Sequence, residues 1–269
     1  MTAPTVAAPL SGTTVLITRP RDSALSRVLR RAGARVVWQP AIRIEQIATP
    51  DLDAALRRIR GFEWIVFTSV HGVSAFWRRA RALRIDPAMT RAARFAAVGP
   101  ETSRAIGRRG ARVSVIADPH SAEGLLVQMA YRLASGSTVL YPRAAGARPI
   151  LVDGLRRLGA QVTEAAAYEA TRSPGVTELP AILNEGVDCV VFCSPSAVRA
   201  VLPYGALIAR SVIACLGPIT ADAARVAGLR VQIVPPTATA ADLAEAVIEH
   251  FHCCAAAAAA PVPFGDSAP

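Results

Sequence analysis

Four places in this sequence set a small hydroxyl or a glycine directly after a short apolar run and before a helical pattern. Thr68-Ser69 follows one run and Cys193-Ser194 another, with helical spacing beginning near Val70 and near Ser196. Gly99-Pro100-Glu101-Thr102 and Gly217-Pro218-Ile219-Thr220 repeat the design, with glycine for close backbone approach and proline suited to a first helical turn. Free backbone N–H groups and the positive end of the helix dipole attract carboxylates and phosphates at such starts. Plain N-capping by Thr68, Ser69, Ser194 or Ser196 accounts equally well for any one of these turns. Four together point to an anionic ligand, with the hydroxyls of Thr102 and Thr220 expected to face it.

Arg19 and Arg143 end the matching runs Thr14-Val15-Leu16-Ile17-Thr18-Arg19 and Thr138-Val139-Leu140-Tyr141-Pro142-Arg143. A guanidinium there can pair bidentately with a carboxylate or simply face solvent. Arg148, in a glycine-containing loop, is a further basic candidate, and Tyr168 lies in an extended segment from which its hydroxyl could reach a ligand. The chain holds no lysine, so Schiff-base chemistry and a Walker-type phosphate lysine are excluded. No GxGxxG, HExxH, GxSxG or CxxC spacing occurs, and no cofactor and no metal are expected. His250, His252, Cys253 and Cys254 stand together where an alanine- and proline-rich tail begins, which reads as a helix end rather than a ligand set.

The elements that must position these groups alternate short β-branched runs with longer helical stretches ending in glycine, as in βα units around a mainly parallel sheet. The order repeats after about 125 residues. Leu29–Ala34 answers to Leu155–Ala160, Val66–Val73 to Val191–Val198, Val98–Thr102 to Leu216–Thr220, and Gly110–Val113 to Gly228–Val231. The fold class expected is therefore α/β, with two doubly wound parallel-sheet domains related by internal duplication. Residues 46–164 carry 18 Arg against 9 acidic residues, nearly the whole net charge of +10. That isolates a basic inserted domain over 46–164. Domain one is expected over 12–37 plus 173–252, with crossing strands at 38–45 and 165–172 and disordered tails over 1–11 and 253–269. A cleft lined by turns from both domains would suit the ligand.

With 52% hydrophobic residues the chain is globular in composition. The N-terminus lacks a basic region followed by an apolar run, no stretch is long enough to span a membrane, and the odd number of cysteines argues against disulfides. A cytoplasmic protein is expected, and a monomer.

The motif series TVLITRP, VFTSVHGV, VGPET, TVLYPR, LRRLGAQVTEAAAYEATRSP, VFCSPSAV and LGPIT, running from Thr14 to about Phe251, resembles the uroporphyrinogen-III synthase family. The resemblance implies two α/β domains joined by a two-stranded β-ladder. It also implies cofactor-free closure of hydroxymethylbilane, a linear polycarboxylate tetrapyrrole, to uroporphyrinogen III, with inversion of ring D and loss of water. Tyr168 matches the tyrosine of the returning linker strand and is implied as the catalytic group beside the departing hydroxyl. Arg19, Thr68, Ser69, Thr102, Arg143, Ser194, Ser196 and Thr220 are assigned to substrate binding. Cys193 stands where Thr is usual in the family, and His71-Gly72 where a turn containing Asn is common.

Two rivals use the same features. A solute-binding protein would share the hinge crossings but normally carries a secretory signal. A catalytically inactive relative could act as a ligand-binding regulator, or as a nucleic-acid-binding one using arginines such as Arg57, Arg58, Arg78 and Arg79. No helix-turn-helix or interleaved aromatic surface supports nucleic-acid binding, and none is expected.

Overall fold

The computed structural model describes residues 8–19, 24–90 and 92–259. The chain forms two compact units, one from residues 1–43 with 171–269 and the other from 44–170.

The first unit is built on β1 (Thr14–Ile17), β2 (Arg35–Trp38), β9 (Cys189–Phe192), β10 (Val212–Cys215) and β11 (Val231–Ile233), in the order β11-β10-β9-β1-β2. Its neighbouring strands pair in parallel, with Ile17 opposite both Trp38 and Val191. Helices α1 (Ala24–Arg31), α7 (Leu179–Asn184), α8 (Pro195–Val201), α9 (Gly205–Ile208), α10 (Pro218–Val226) and α11 (Ala240–Ala259) belong to this unit. Alternate residues of β9 serve opposite faces. Val190 and Phe192 join one apolar cluster with α8 and α10, while Cys189 and Val191 join another with α1 and α11.

The second unit's sheet is formed by β3 (Ile42–Gln46), β4 (Trp64–Phe67), β5 (Arg94–Ala97), β6 (Val113–Ile116), β7 (Thr138–Ala144) and β8 (Gln161–Arg172), in the order β3-β8-β7-β4-β5-β6, the first two residues of β3 and the last two of β8 falling in the first unit. Its helices are α2 (Pro50–Arg57), α3 (Val70–Ala82), α4 (Pro100–Gly107), α5 (Ala122–Ala130) and α6 (Ile150–Arg157). Apart from β3, the sequence β8-β7-β4-β5-β6 corresponds strand for strand to β2-β1-β9-β10-β11 in the first unit. Burial again alternates along the central strand, Ile65 and Phe67 to one side and Trp64 and Val66 to the other. Phe67 packs against Phe76, Trp77 and Phe95, with ring centroids 5.5, 5.7 and 6.5 Å away. Truncating such a residue to alanine costs about 3–5 kcal/mol.

Ile47 donates to Ala167 and Ser173 to Ala41, a reciprocal pattern that runs β3 and β8 in opposite directions. Two ends differ from the tails read off the sequence at 1–11 and 253–269. Leu10 is fully buried, and its N–H bonds the Ala32 carbonyl, because the start of β1 needs its flank covered. At the other end α11 continues to Ala259, the run Ala255–Ala259 being the strongest helix former available. Residues 1–7 and 260–269 lie outside the described part of the chain.

Candidate functional site

Parallel strands finish at the same edge of a sheet, and each unit gathers its strand-to-helix turns at that carboxyl edge. In the second unit Ser69 caps α3, its Oγ accepting the Gly72 N–H at 3.1 Å. The same Oγ lies 2.6 Å from the hydroxyl of Tyr168, which β8 delivers to the edge. Beside this couple, Thr68 Oγ1 is 3.2 Å from the hydroxyl of Tyr141 on β7. Gly72 makes the crowding feasible, since a Cβ there would stand 3.1 Å from the Pro142 carbonyl and 3.6 Å from the Tyr168 ring. The His71 ring lies 5.8 Å from that of Tyr168.

Both phenols are buried, and burial pushes their pKa values above the ordinary 10, opposed in part by the bonds to Ser69 and Thr68. At neutral pH they are therefore protonated donors. Tyr141 lines a pocket of about 200 Å3 with Thr68, Ala147 and Arg148, and Arg148 faces Glu123 at a loose 3.9 Å. Tyr141 is the member that sequence reasoning passes over. A tyrosine in a strand buried on both faces reads as core, and only its neighbour across the sheet, Thr68, reveals a polar use.

Arg143 is engaged within its own unit. Its Nε approaches Glu164 Oε2 at 2.8 Å, by charge rather than through an aligned hydrogen bond, and its Nη1 donates to the Ala147 carbonyl at 3.2 Å. Arg19, its counterpart in sequence, has no carboxylate partner among the described residues, and its charge bears on Cys193. Burial raises the Cys193 thiol, with Arg19 working against it, and burial pushes Cys189 and Cys215 up to about 12. These thiols are not nucleophiles at neutral pH.

In the first unit Ser194 caps α8, accepting the Ala197 N–H at 3.2 Å, and Ser196 lies in the following turn, half-buried. Thr102 and Thr220 do not open toward solvent as the sequence suggests. Each is 5% exposed and belongs to the buried stripe of its helix, with Ala105 and Ile106 on α4 and with Ala221 and Ala224 on α10. The two residues before each threonine are the exposed ones, Pro100 and Glu101 in one unit and Pro218 and Ile219, the latter 48% exposed, in the other. Cys253 and Cys254 are exposed on α11.

The family model described as uroporphyrinogen-III synthase HemD matches residues 23–245. The chain belongs to the uroporphyrinogen-III synthase family. A putative uroporphyrinogen-III synthase of Methanothermobacter thermautotrophicus is 28% identical over 218 residues, covering 76% of this chain and 85% of the relative. The uroporphyrinogen-III synthase of Synechococcus elongatus is 29% identical over 230 residues, with coverages of 79% and 85%. The fold is shared with a mutant uroporphyrinogen III synthase of Thermus thermophilus, at a TM-score of 0.65, 19% identity, and 89% and 98% coverage. It is shared also with the Helicobacter pylori enzyme, at 0.62, 14%, and 88% and 99%. As a member of the uroporphyrinogen-III synthase family the chain is an enzyme of tetrapyrrole biosynthesis, a cyclising lyase. Among the described residues no helix is long and apolar enough to cross a membrane.

Proposed function

We propose that this chain closes hydroxymethylbilane to uroporphyrinogen III, inverting ring D and releasing the terminal hydroxyl as water, with no cofactor. The observation that carries the reading is the 2.6 Å couple of Ser69 and Tyr168 at the start of α3. Ser69 Oγ already accepts from Gly72, so it can give its own proton to the Tyr168 oxygen. The Tyr168 proton is then free to reach a leaving hydroxyl, and a neutral buried phenol is the right form for it. The carboxylates of the substrate would be received by Arg19 and by the amides and hydroxyls at Thr68, Ser69, Ser194 and Ser196. Arg143, Thr102 and Thr220 would shape the edge from behind, Arg143 through Glu164 and the threonines through packing. Bond making itself asks little of the protein beyond placement of the bilane and stabilisation of charge as water departs.

The shared strand order of the two sheets supports descent by duplication of one α/β unit. A monomer acting in the cytoplasm fits the reading. An inactive regulator is less favoured, because the tyrosine and its hydroxyl partner are both retained in bonding geometry.

The deciding experiment supplies freshly generated hydroxymethylbilane to the purified protein and resolves the oxidised type I and type III products by chromatography. Predominant type III is expected. Type I alone, at the rate of the unassisted reaction, would refute the proposed activity.

A further inference from the structure

At the opposite edge of the second unit's sheet, away from Thr68 and Tyr168, two neighbouring cavities share Thr90 in their walls. One, of about 330 Å3, is walled by Leu56, Ile59, Phe76 and Trp77 and edged by Arg81 and Arg84. The other, of about 490 Å3, is lined by Arg94, Arg109, Arg112 and Ser114. Arg94 is the first residue of β5 and Arg112 immediately precedes β6, so this edge is the one at which those strands begin.

The charge around the two cavities is one-sided. Among the described residues Asp86 is the only carboxylate lining either, and its Oδ1 is engaged by the Ala88 N–H at 2.8 Å. Arg94 lies against the Trp64 ring, 5.5 Å from its centroid. Among the described residues, Arg81, Arg84, Arg109 and Arg112 have no carboxylate partner, whereas Arg79 on the same helix is held bidentately by Asp53 at 2.6 Å. Unpaired guanidiniums around a concave wall gain most from a ligand that brings negative charge.

A second, independent observation falls on Arg84. It ends α3 in the left-handed conformation, φ 56°, with its N–H bonding Arg81 and that of Ile85 bonding Ala80. Glycine fills the corresponding positive-φ stop after α1, α4, α6, α7 and α10, at Gly33, Gly110, Gly159, Gly186 and Gly228. A side chain with a Cβ is strained there, so the arginine is carried at a cost that glycine would remove.

We propose that the double cavity binds an amphipathic organic anion, with an aromatic or alkyl body against Trp77 and Phe76 and one or two acidic groups among the guanidiniums. The combined space lies in the range of small-molecule sites. An apolar chamber alone would take a neutral ligand and the arginines alone any small polyanion. Their adjacency at Thr90 selects a molecule that is both.

Fluorescence titration with anilinonaphthalene sulfonate tests this. The full chain is expected to bind one equivalent, saturably, and more weakly as salt is raised. Arg84→Gly should lower affinity about tenfold while leaving the melting temperature equal or higher, because glycine relieves the left-handed position. Arg109→Gln with Arg112→Gln should lower it similarly, and none of these changes should alter the type III product ratio. Tyr168→Phe should leave the probe bound as before. Unchanged affinity in the arginine variants, or loss of the probe in Tyr168→Phe, would overturn the proposal. So would displacement by pyrophosphate at equal strength, or equally tight binding of uncharged anilinonaphthalene.

Discussion

The two carboxyl edges are built on one plan and finished differently. In the second unit Tyr141 lies on β7 opposite Glu164, and its hydroxyl meets Thr68. At the matching positions of the first unit stand Ile17, opposite Trp38, and Cys193. Both members of the Tyr–Thr couple are exchanged for groups with little hydrogen-bonding demand, and the acid that holds Arg143 is exchanged for Trp38. Buried hydroxyls persist in pairs or are lost in pairs, because one left alone costs about 1–3 kcal/mol. The same exchange releases Arg19. The first unit thus presents an arginine that has no competing carboxylate among the described residues, and the second presents paired, neutral hydroxyl donors.

The largest effect is expected at the donor pair. Tyr168→Phe should lower turnover to type III by about tenfold to a hundredfold while the protein stays folded, since a positioned proton donor contributes at least this much. Unaltered turnover would remove Tyr168 from the reaction. The arginines should separate next. Arg19→Ala is expected to raise KM for the bilane by about tenfold, the loss of a charge-assisted bond, whereas Arg143→Ala should raise it little and instead lower thermal stability. Equal KM effects would abolish the asymmetry.

A double-mutant cycle sharpens the pairing argument. Thr68→Val and Tyr141→Phe should each destabilise the protein, while the double change costs less than their sum by about 1 kcal/mol. Additive costs would show that the two hydroxyls are not coupled. Smallest is Asp53, a control away from both edges. The bond from Arg79 holds its carboxyl below the ordinary 3.8. The contribution is therefore present above that value and lost as pH falls through the lower one in the folded state. Asp53→Asn should lower the melting temperature at pH 7, and the gap to the parent should close in strong acid.

Much of the architecture is legible in the sequence because each unit depends on local signals. Apolar runs of four, glycine stops and Gly-Pro starts place strands, helices and the order of turns without any knowledge of packing. The hydroxyl edge is legible for the same reason, since Ser69 and Ser194 declare themselves as caps. What a residue touches across the sheet is not local. Thr102 reads as a free hydroxyl until the stripe it shares with Ala105 and Ile106 turns it inward. Arg19 and Arg143 read alike until β2 and β8 bring Trp38 to one strand and Glu164 to the other.

The routing of the chain also has a consequence for the order of events on the ribosome. Residues 44–170 are continuous, so the strands β4 to β8 can assemble soon after they emerge. Strand β1 must wait for β9, its neighbour some 174 residues later in translation, as the pairing of Val15 with Cys189 shows. The nascent N-terminal segment, with its buried Leu10, Val15, Leu16 and Ile17, has only β2 to pair with until most of the polypeptide has been made. Slow codons or chaperone contacts that matter to this protein would be felt by that waiting strand first.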